Sequence, residues 1–256
     1  MVRTAIQLYT LRDIDEPLPD VVRRVGETSF DGVELYDGTV DALADRSLRD
    51  RTADALTDAD LSVPAAHVNL ERLESDPDEV LDVCRALDCP RVVVPSYDPD
   101  EFASVGGVDR AADRIAALAD DYADDGVAVL YHNHTFEFDE VDGTVAFERF
   151  VDRAAGRFAF EPDVGLAAHA GYDPLDLIAS VDGAAPVVHL TDSDPSDPDA
   201  LHADPGEGSV DLAACADAAV DAGAEWIVCE NGVSIDQART LERGSEAFAD
   251  LAAGTE

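Results

Sequence analysis

The chain has 256 residues, enough for one large domain with a sizeable core. Aspartate and glutamate together number 57 against 17 basic residues, all arginine, so the net charge is −40. Without lysine there can be no Schiff-base or pyridoxal-phosphate lysine and no phosphate-cradling P-loop lysine. Nucleic acid and anionic membrane surfaces are disfavoured as partners, because both are held by basic side chains.

The elements read in order as an alternation. A first strand over 2–9 carries Gln7 and Tyr9 near its end, with Arg12 and Asp13 beyond. Leu18, Val21, Val22 and Val25 give helical spacing over 17–28. Gly32-Val33-Glu34-Leu35 is a short second strand holding a carboxylate, and a helix over 40–59 follows. A third strand over 62–68 reaches His67. Asp76-Pro77-Asp78-Glu79 opens the next helix, with Asp76 as cap and Glu79 closing a capping box. Arg91-Val92-Val93-Val94 is the fourth strand, and 108–122 is helical.

The fifth strand is Val127-Ala128-Val129-Leu130-Tyr131-His132-Asn133-His134, followed by Thr135-Phe136-Glu137-Phe138. Alternate strand residues share a face, so His132 and His134 point together and Asn133 points away. Imidazoles at the end of a buried strand are costly to desolvate unless a metal or substrate compensates. A surface-edge strand with solvated histidines is the alternative. A helix over 144–154 precedes Phe158-Ala159-Phe160-Glu161-Pro162-Asp163, where Glu161 and Asp163 share a face. Asp173-Pro174 caps a short helix, and Val187-Val188-His189-Leu190 is the seventh strand. A polar loop over 191–209 holds Asp192, His202 and Gly206-Glu207-Gly208. After a helix over 210–222, Trp226-Ile227-Val228-Cys229-Glu230 is the eighth strand, and a helix over 236–252 closes the chain.

Eight strand–helix units in one run imply a parallel sheet of the size of a (β/α)₈ TIM barrel, forming a single α/β domain over 1–256. A doubly wound open sheet competes, but no glycine-rich turn follows the first strand. Cys84, Cys89, Cys215 and Cys229 lack metal or redox spacing and read as free thiols in a reducing interior. With no leader before Arg3 and no apolar run of membrane length, the chain is expected to be cytoplasmic.

Polar residues collect at the carboxyl ends of the strands: Gln7, Glu34, His67, His132 with His134, Asp163, His189 and Glu230. In a barrel these ends converge on the face that carries active sites. His132, Asp163, His189 and Glu230 offer two imidazoles and two carboxylates, a donor set for a borderline divalent cation. An unmetallated polar core is the alternative.

Several segments carry a resemblance to the sugar phosphate isomerase/epimerase family, whose fold is the xylose-isomerase-like barrel. They are Gln7-Leu8-Tyr9-Thr10-Leu11-Arg12, Gly32-Val33-Glu34-Leu35, Tyr131-His132-Asn133-His134, Glu161-x-Asp163, Ala170-Gly171-Tyr172-Asp173-Pro174, Val188-His189-Leu190 with Asp192, Gly206-x-Gly208 and Glu230. The resemblance covers nearly the whole chain. It implies one divalent ion (Mn²⁺, Zn²⁺, Co²⁺ or Mg²⁺) held at Asp163, His189 and Glu230. At the fifth strand the commoner pattern is Glu-Asn-His, so His132 replaces a metal-binding, often catalytic, glutamate, and Glu137 is a candidate substitute. Thr191 stands where members often have lysine. The composition resembles that of proteins from salt-accumulating halophilic archaea.

The implied chemistry is proton transfer beside the carbonyl of a sugar or polyol ketone through an enediolate, giving isomerisation or epimerisation. Glu230 and Glu137 are expected to move the proton, with His134 as acid or hydrogen-bond donor. Gln7, Glu34, His67, Arg12 and His202 are expected to face substrate, Arg12 through an anionic group and His202 from its loop unless it is solvated there. Dehydration of a keto-polyol (an inosose-type substrate) uses the same intermediate and is the nearest alternative. A non-catalytic sugar-binding barrel and an abasic-site endonuclease are more distant ones, the latter opposed by the charge. A homo-oligomer is left open.

Overall fold

The computed structural model describes residues 2–197 and 201–255, so the expected polar loop is seen except at 198–200. Ten strands occur among these residues: β1 (Arg3–Gln7), β2 (Gly32–Glu34), β3 (Ala66–His67), β4 (Arg91–Val94), β5 (Ala128–His132), β6 (Glu140–Val141), β7 (Thr144–Val145), β8 (Ala159–Glu161), β9 (Val187–His189) and β10 (Trp226–Cys229). All but β6 and β7 are parallel and form two four-stranded runs, β2-β1-β10-β9 and β3-β4-β5-β8. Isolated parallel bridges close the ring. Gly32 with Ser62 and Leu35 with Ala66 join β2 to β3, and Asp163 with His189 joins β8 to β9. The result is a (β/α)₈ barrel with its helices outside.

Period-two alternation explains both faces of the ring. Ala5, Ala65, Val93, Leu130, Val187, Trp226 and Val228 form a separate interior cluster. Ile6, Val33, Val92, Tyr131, Phe160, Val188 and Ile227 instead pack outward in the larger core beneath the helices. Trp226 fills the interior near the strand starts, with the Arg3 guanidinium 4.0 Å from its ring centre. A side chain at Gly32 would meet Ser62 O at 2.6 Å and the Trp226 ring at 3.0 Å, so this closure needs glycine.

Local chemistry departs from expectation in three places. The helix expected over 40–59 is two, Asp37–Ala42 and Arg46–Asp58, because Asp45 starts the second by accepting from Leu48 N. Asp76 makes no side-chain cap; it accepts from Ser75 Oγ, while Glu79 accepts from Arg72 instead of closing a box. The hairpin β6–β7 was not anticipated. Its turn is Asp142-Gly143, both at positive φ (55° and 80°), a sequence suited to such a turn. Asp173 does cap its helix, accepting from Leu175 N at 2.9 Å. All four cysteines are free and buried. No helix among the described residues is long and apolar enough to cross a membrane.

Candidate metal centre and active site

The interior apolar layer places the polar one. Two residues after Ala5, Ala65, Leu130, Ala159, Val187 and Val228 stand Gln7, His67, His132, Glu161, His189 and Glu230, so each side chain points into the same barrel mouth. One further step of two gives Asp163 and His134.

His132, Asp163, His189 and Glu230 are buried, and one ligand atom from each lies within 4.8 Å of the others. A second set meeting the same limit is His67, His132, Glu161 and His189. The His189 ring joins the sets. Its Nδ1 is 3.1 Å from Glu230 Oε2, and its Nε2 is 2.6 Å from Glu34 Oε2 and 3.1 Å from Glu161 Oε1. His67 Nε2 is 2.5 Å from Glu161 Oε1, and His132 Nδ1 approaches the same oxygen at 3.2 Å.

Asp163 has its two oxygens in different situations. Oδ1 accepts from Leu166 N at 2.8 Å, capping the helix Val164–His169, and from the Thr191 hydroxyl. Oδ2 is buried without a hydrogen-bond partner and lies 4.0 Å from His132 Nε2. That gap is too long for a hydrogen bond, so the carboxylate oxygen and the imidazole nitrogen face each other unpaired, and both could serve as ligands to a cation. Asn133, on the opposite face, fixes this end of β8: its Oδ1 accepts from Asp163 N and its Nδ2 donates to Asp163 O. The residues present fit a divalent cation.

Burial and charge set the protonation states. Burial pushes His132 down to about 3 and His134 down to about 4, so both rings are neutral near pH 7. Burial opposes the charge on His189 as well, but Glu161 and Glu34 override it and hold its pKa well above the ordinary value. Burial likewise opposes ionisation of Glu161 and Glu230; His189 and His67 outweigh it at Glu161, and the His189 contact does so at Glu230, leaving both low. Burial, reinforced by Glu161, raises Glu34 to about 7.

Glu161 is the site residue absent from the expected ligand set, although its position two before Asp163 signalled the shared face. Glu34 and Gln7 are both fully buried, Gln7 Nε2 donating to Glu34 Oε2 at 2.9 Å. His202 Nδ1 accepts from Gly232 N at 2.9 Å, which ties the two last loops together.

Two expectations need correction. Glu137 is not among the residues lining the cavity at the barrel mouth. It is fully buried, its Oε1 accepting from Tyr131 OH at 2.7 Å and its Oε2 from His134 N at 2.9 Å, because Tyr131 points outward between strand and helices. Arg12 is held against the chain itself and does not line the cavity. Its guanidinium lies over the Tyr9 ring and donates to Tyr9 O at 2.8 Å and Gly232 O at 2.9 Å.

Above the cluster opens a cavity of about 280 Å³. Its walls are Tyr9, Tyr36 and Pro95, the carboxylates of Asp37 and Glu230, and the imidazoles of His67, His132 and His134. Tyr9 and Tyr36 meet edge to face at 5.4 Å. A larger groove of about 380 Å³ lies on the outer helices around Arg114 and Tyr122 and holds none of these groups.

A barrel with this buried donor set at its mouth defines a class, and the chain belongs to the xylose isomerase-like TIM barrel family, whose model matches residues 21–251. Among solved structures it is similar to a sugar phosphate isomerase/epimerase from Parabacteroides distasonis, at 17% identity over 100% of this chain and 96% of that one, with a TM-score of 0.75. It is also similar to a 3-keto-D-glucoside 4-epimerase from E. coli, at 15% identity over 99% and 100%, with a TM-score of 0.71. An IOLI protein with a bound zinc atom matches at 15% identity over 100% and 99%, also with a TM-score of 0.71. At identities this low, the structural likeness shows a common fold and nothing more. No curated protein sequence matches the chain.

Proposed function

We propose that the chain is a metal-dependent isomerase or epimerase of a sugar or polyol ketone, working through an enediolate. The observation that carries this reading is the buried set His132, Asp163, His189 and Glu230, with Asp163 Oδ2 unpartnered, opening onto a small polar cavity. The zinc atom in the IOLI structure supports a divalent ion here. When bound, such an ion would polarise the carbonyl and stabilise the negative charge of the enediolate.

The chain's own residues supply the proton transfer. Glu230 follows β10 and His134 follows β5, three steps apart around the ring, and both line the cavity. His134 is neutral, and its Nδ1 is buried without a partner, so it can accept or return a proton at neutral pH. Glu230 is held ionised by His189 and serves from the other side. Whichever group takes the carbon-bound proton can return it or exchange it with solvent, and inversion requires that the opposite group first take up a proton from solvent and deliver it to the other face. Glu137 acts indirectly, by fixing the backbone of His134.

Incubation of the Mn²⁺-loaded protein in D₂O and molar KCl with a panel of sugars and keto-inositols tests the reading. Deuterium entering beside a carbonyl is the expected result. Loss of water from the product would place the chain with dehydratases, and no exchange with any compound would remove the enzyme reading.

A further inference from the structure

We infer that the substrate is an uncharged polyhydroxy ketone and not a phosphate ester. This rests on the proposed function and narrows it.

In barrels of this architecture, phosphate groups are commonly held by backbone amides of the loops after the seventh and eighth strands. Here those amides already have a carboxylate. The Asp192 side chain follows β9 and is buried. Its Oδ2 accepts from Gly206 N at 2.9 Å and Gly208 N at 3.0 Å, and its Oδ1 accepts from Ser193 N at 2.9 Å and Val210 N at 3.1 Å. Four convergent N–H groups make an anion nest, and the chain fills it with its own anion. A side chain at Gly208 would come within 2.2 Å of Asp192 Oδ1, so the glycine is what lets the loop close around the carboxylate.

The loop after β10 is committed in the same way. Asn231 N donates to Thr10 Oγ1, Gly232 N to His202 Nδ1 and Val233 N to Asn231 Oδ1. Side chains do not replace these donors. The sequence has no lysine, no arginine is among the described residues lining the cavity, and Arg12 beside it donates to the carbonyls of Tyr9 and Gly232. Asp37 and Glu230 add negative charge at the walls. What the cavity offers is an aromatic corner, Tyr9 with Tyr36, for the C–H face of a sugar, and carboxylates and imidazoles for its hydroxyls.

Matched pairs test this by calorimetry on the metal-loaded protein at one ionic strength: fructose against fructose 6-phosphate, and tagatose against tagatose 6-phosphate. At least one neutral ketose should bind, and at least about tenfold tighter than its ester. An ester binding as tightly as its parent or tighter overturns this inference and leaves the proposed function standing. Binding by no compound of either kind removes the sugar-binding reading itself. A second arm uses inorganic phosphate with Asp192→Ala, its fold checked by melting. The folded variant should bind phosphate where the parent does not. A folded variant indifferent to phosphate overturns the assignment of these amides as a filled anion site; should the variant not fold, the matched pairs decide.

Discussion

His132 Nε2 and Asp163 Oδ2 face each other across 4.0 Å, buried and without a hydrogen bond between them. One group comes from β5 and the other from just past β8, adjacent strands of one run. A cation between them would relieve an otherwise unsatisfied carboxylate oxygen. His189→Ala and Asp163→Asn should therefore each lower affinity for Mn²⁺ by more than about a hundredfold, beyond the usual cost of losing an outer-shell partner. Asparagine is the better choice at 163, because it can keep the Oδ1 contact to Leu166 N and so the helix cap, worth about 1 kcal/mol. Metal analysis after desalting reads the result, and unchanged ion content in both variants would place the site elsewhere.

Glu137 should behave as a structural group. In Glu137→Gln, one accepting oxygen and one donating nitrogen replace two acceptors, leaving Tyr131 OH or His134 N poorly matched in a buried setting. The expected cost is about 1–3 kcal/mol of stability, with metal content unchanged. Denaturant unfolding checks it. A variant of parental stability that had lost proton exchange would restore Glu137 to the chemistry.

Ion binding should depend on pH with a definite sign. A ligating imidazole needs its lone pair, and the His189 pKa is held well above its ordinary value, so the ring carries a proton near neutrality. His132, pushed down to about 3, has no such proton to lose. Apparent Mn²⁺ affinity should thus rise from about pH 5 to about pH 8, with protons released on binding. Titration in buffers of different ionisation enthalpy counts them. An affinity flat over this range would mean that His189 is already neutral or does not ligate.

Salt should stabilise the fold. With a net charge of −40, repulsion among surface carboxylates opposes the compact state at low ionic strength. Many arginines bridge elements, as Arg114 does to Glu74 and Arg153 to Asp113, but carboxylates exceed them more than threefold, 57 against 17. The melting temperature should climb from dilute buffer into molar KCl. A flat or falling curve would contradict the halophile reading of the composition.

The barrel was legible because its signal is periodic and repeated. Every strand but the fourth carried an apolar core and a polar residue near its end, and the convergence of strand ends in a barrel was what suggested that His132, Asp163, His189 and Glu230 meet. Glu161 was visible by the same rule, but nothing in the sequence says that His67, from β3, reaches it at 2.5 Å across the barrel. Glu137 failed for a different reason. It follows the strand as part of a 3₁₀ turn, Phe136–Phe138, where period two no longer holds, and its partner Tyr131 points outward. Asp76 had the composition of a cap but not the backbone geometry. Local alternatives of this kind depend on neighbours that a linear pattern does not contain.

The two runs of the ring have unequal histories along the chain. β3, β4, β5 and β8 lie contiguously between 66 and 161, apart from the small β6–β7 hairpin, whereas β1 and β2 share a sheet with β9 and β10, pairing Arg3 with Trp226. As a ribosome extends the chain, the middle run has all its partners early, while the first two strands must wait for the last two. Pairings of such large sequence separation form late and slowly. His132 and Asp163 belong to the run completed first; His189 and Glu230 arrive with the second. The ligand set is therefore whole only when the halves have joined, and a cation bound there would tie β5 and β8 to β9 and β10 across the Asp163–His189 bridge.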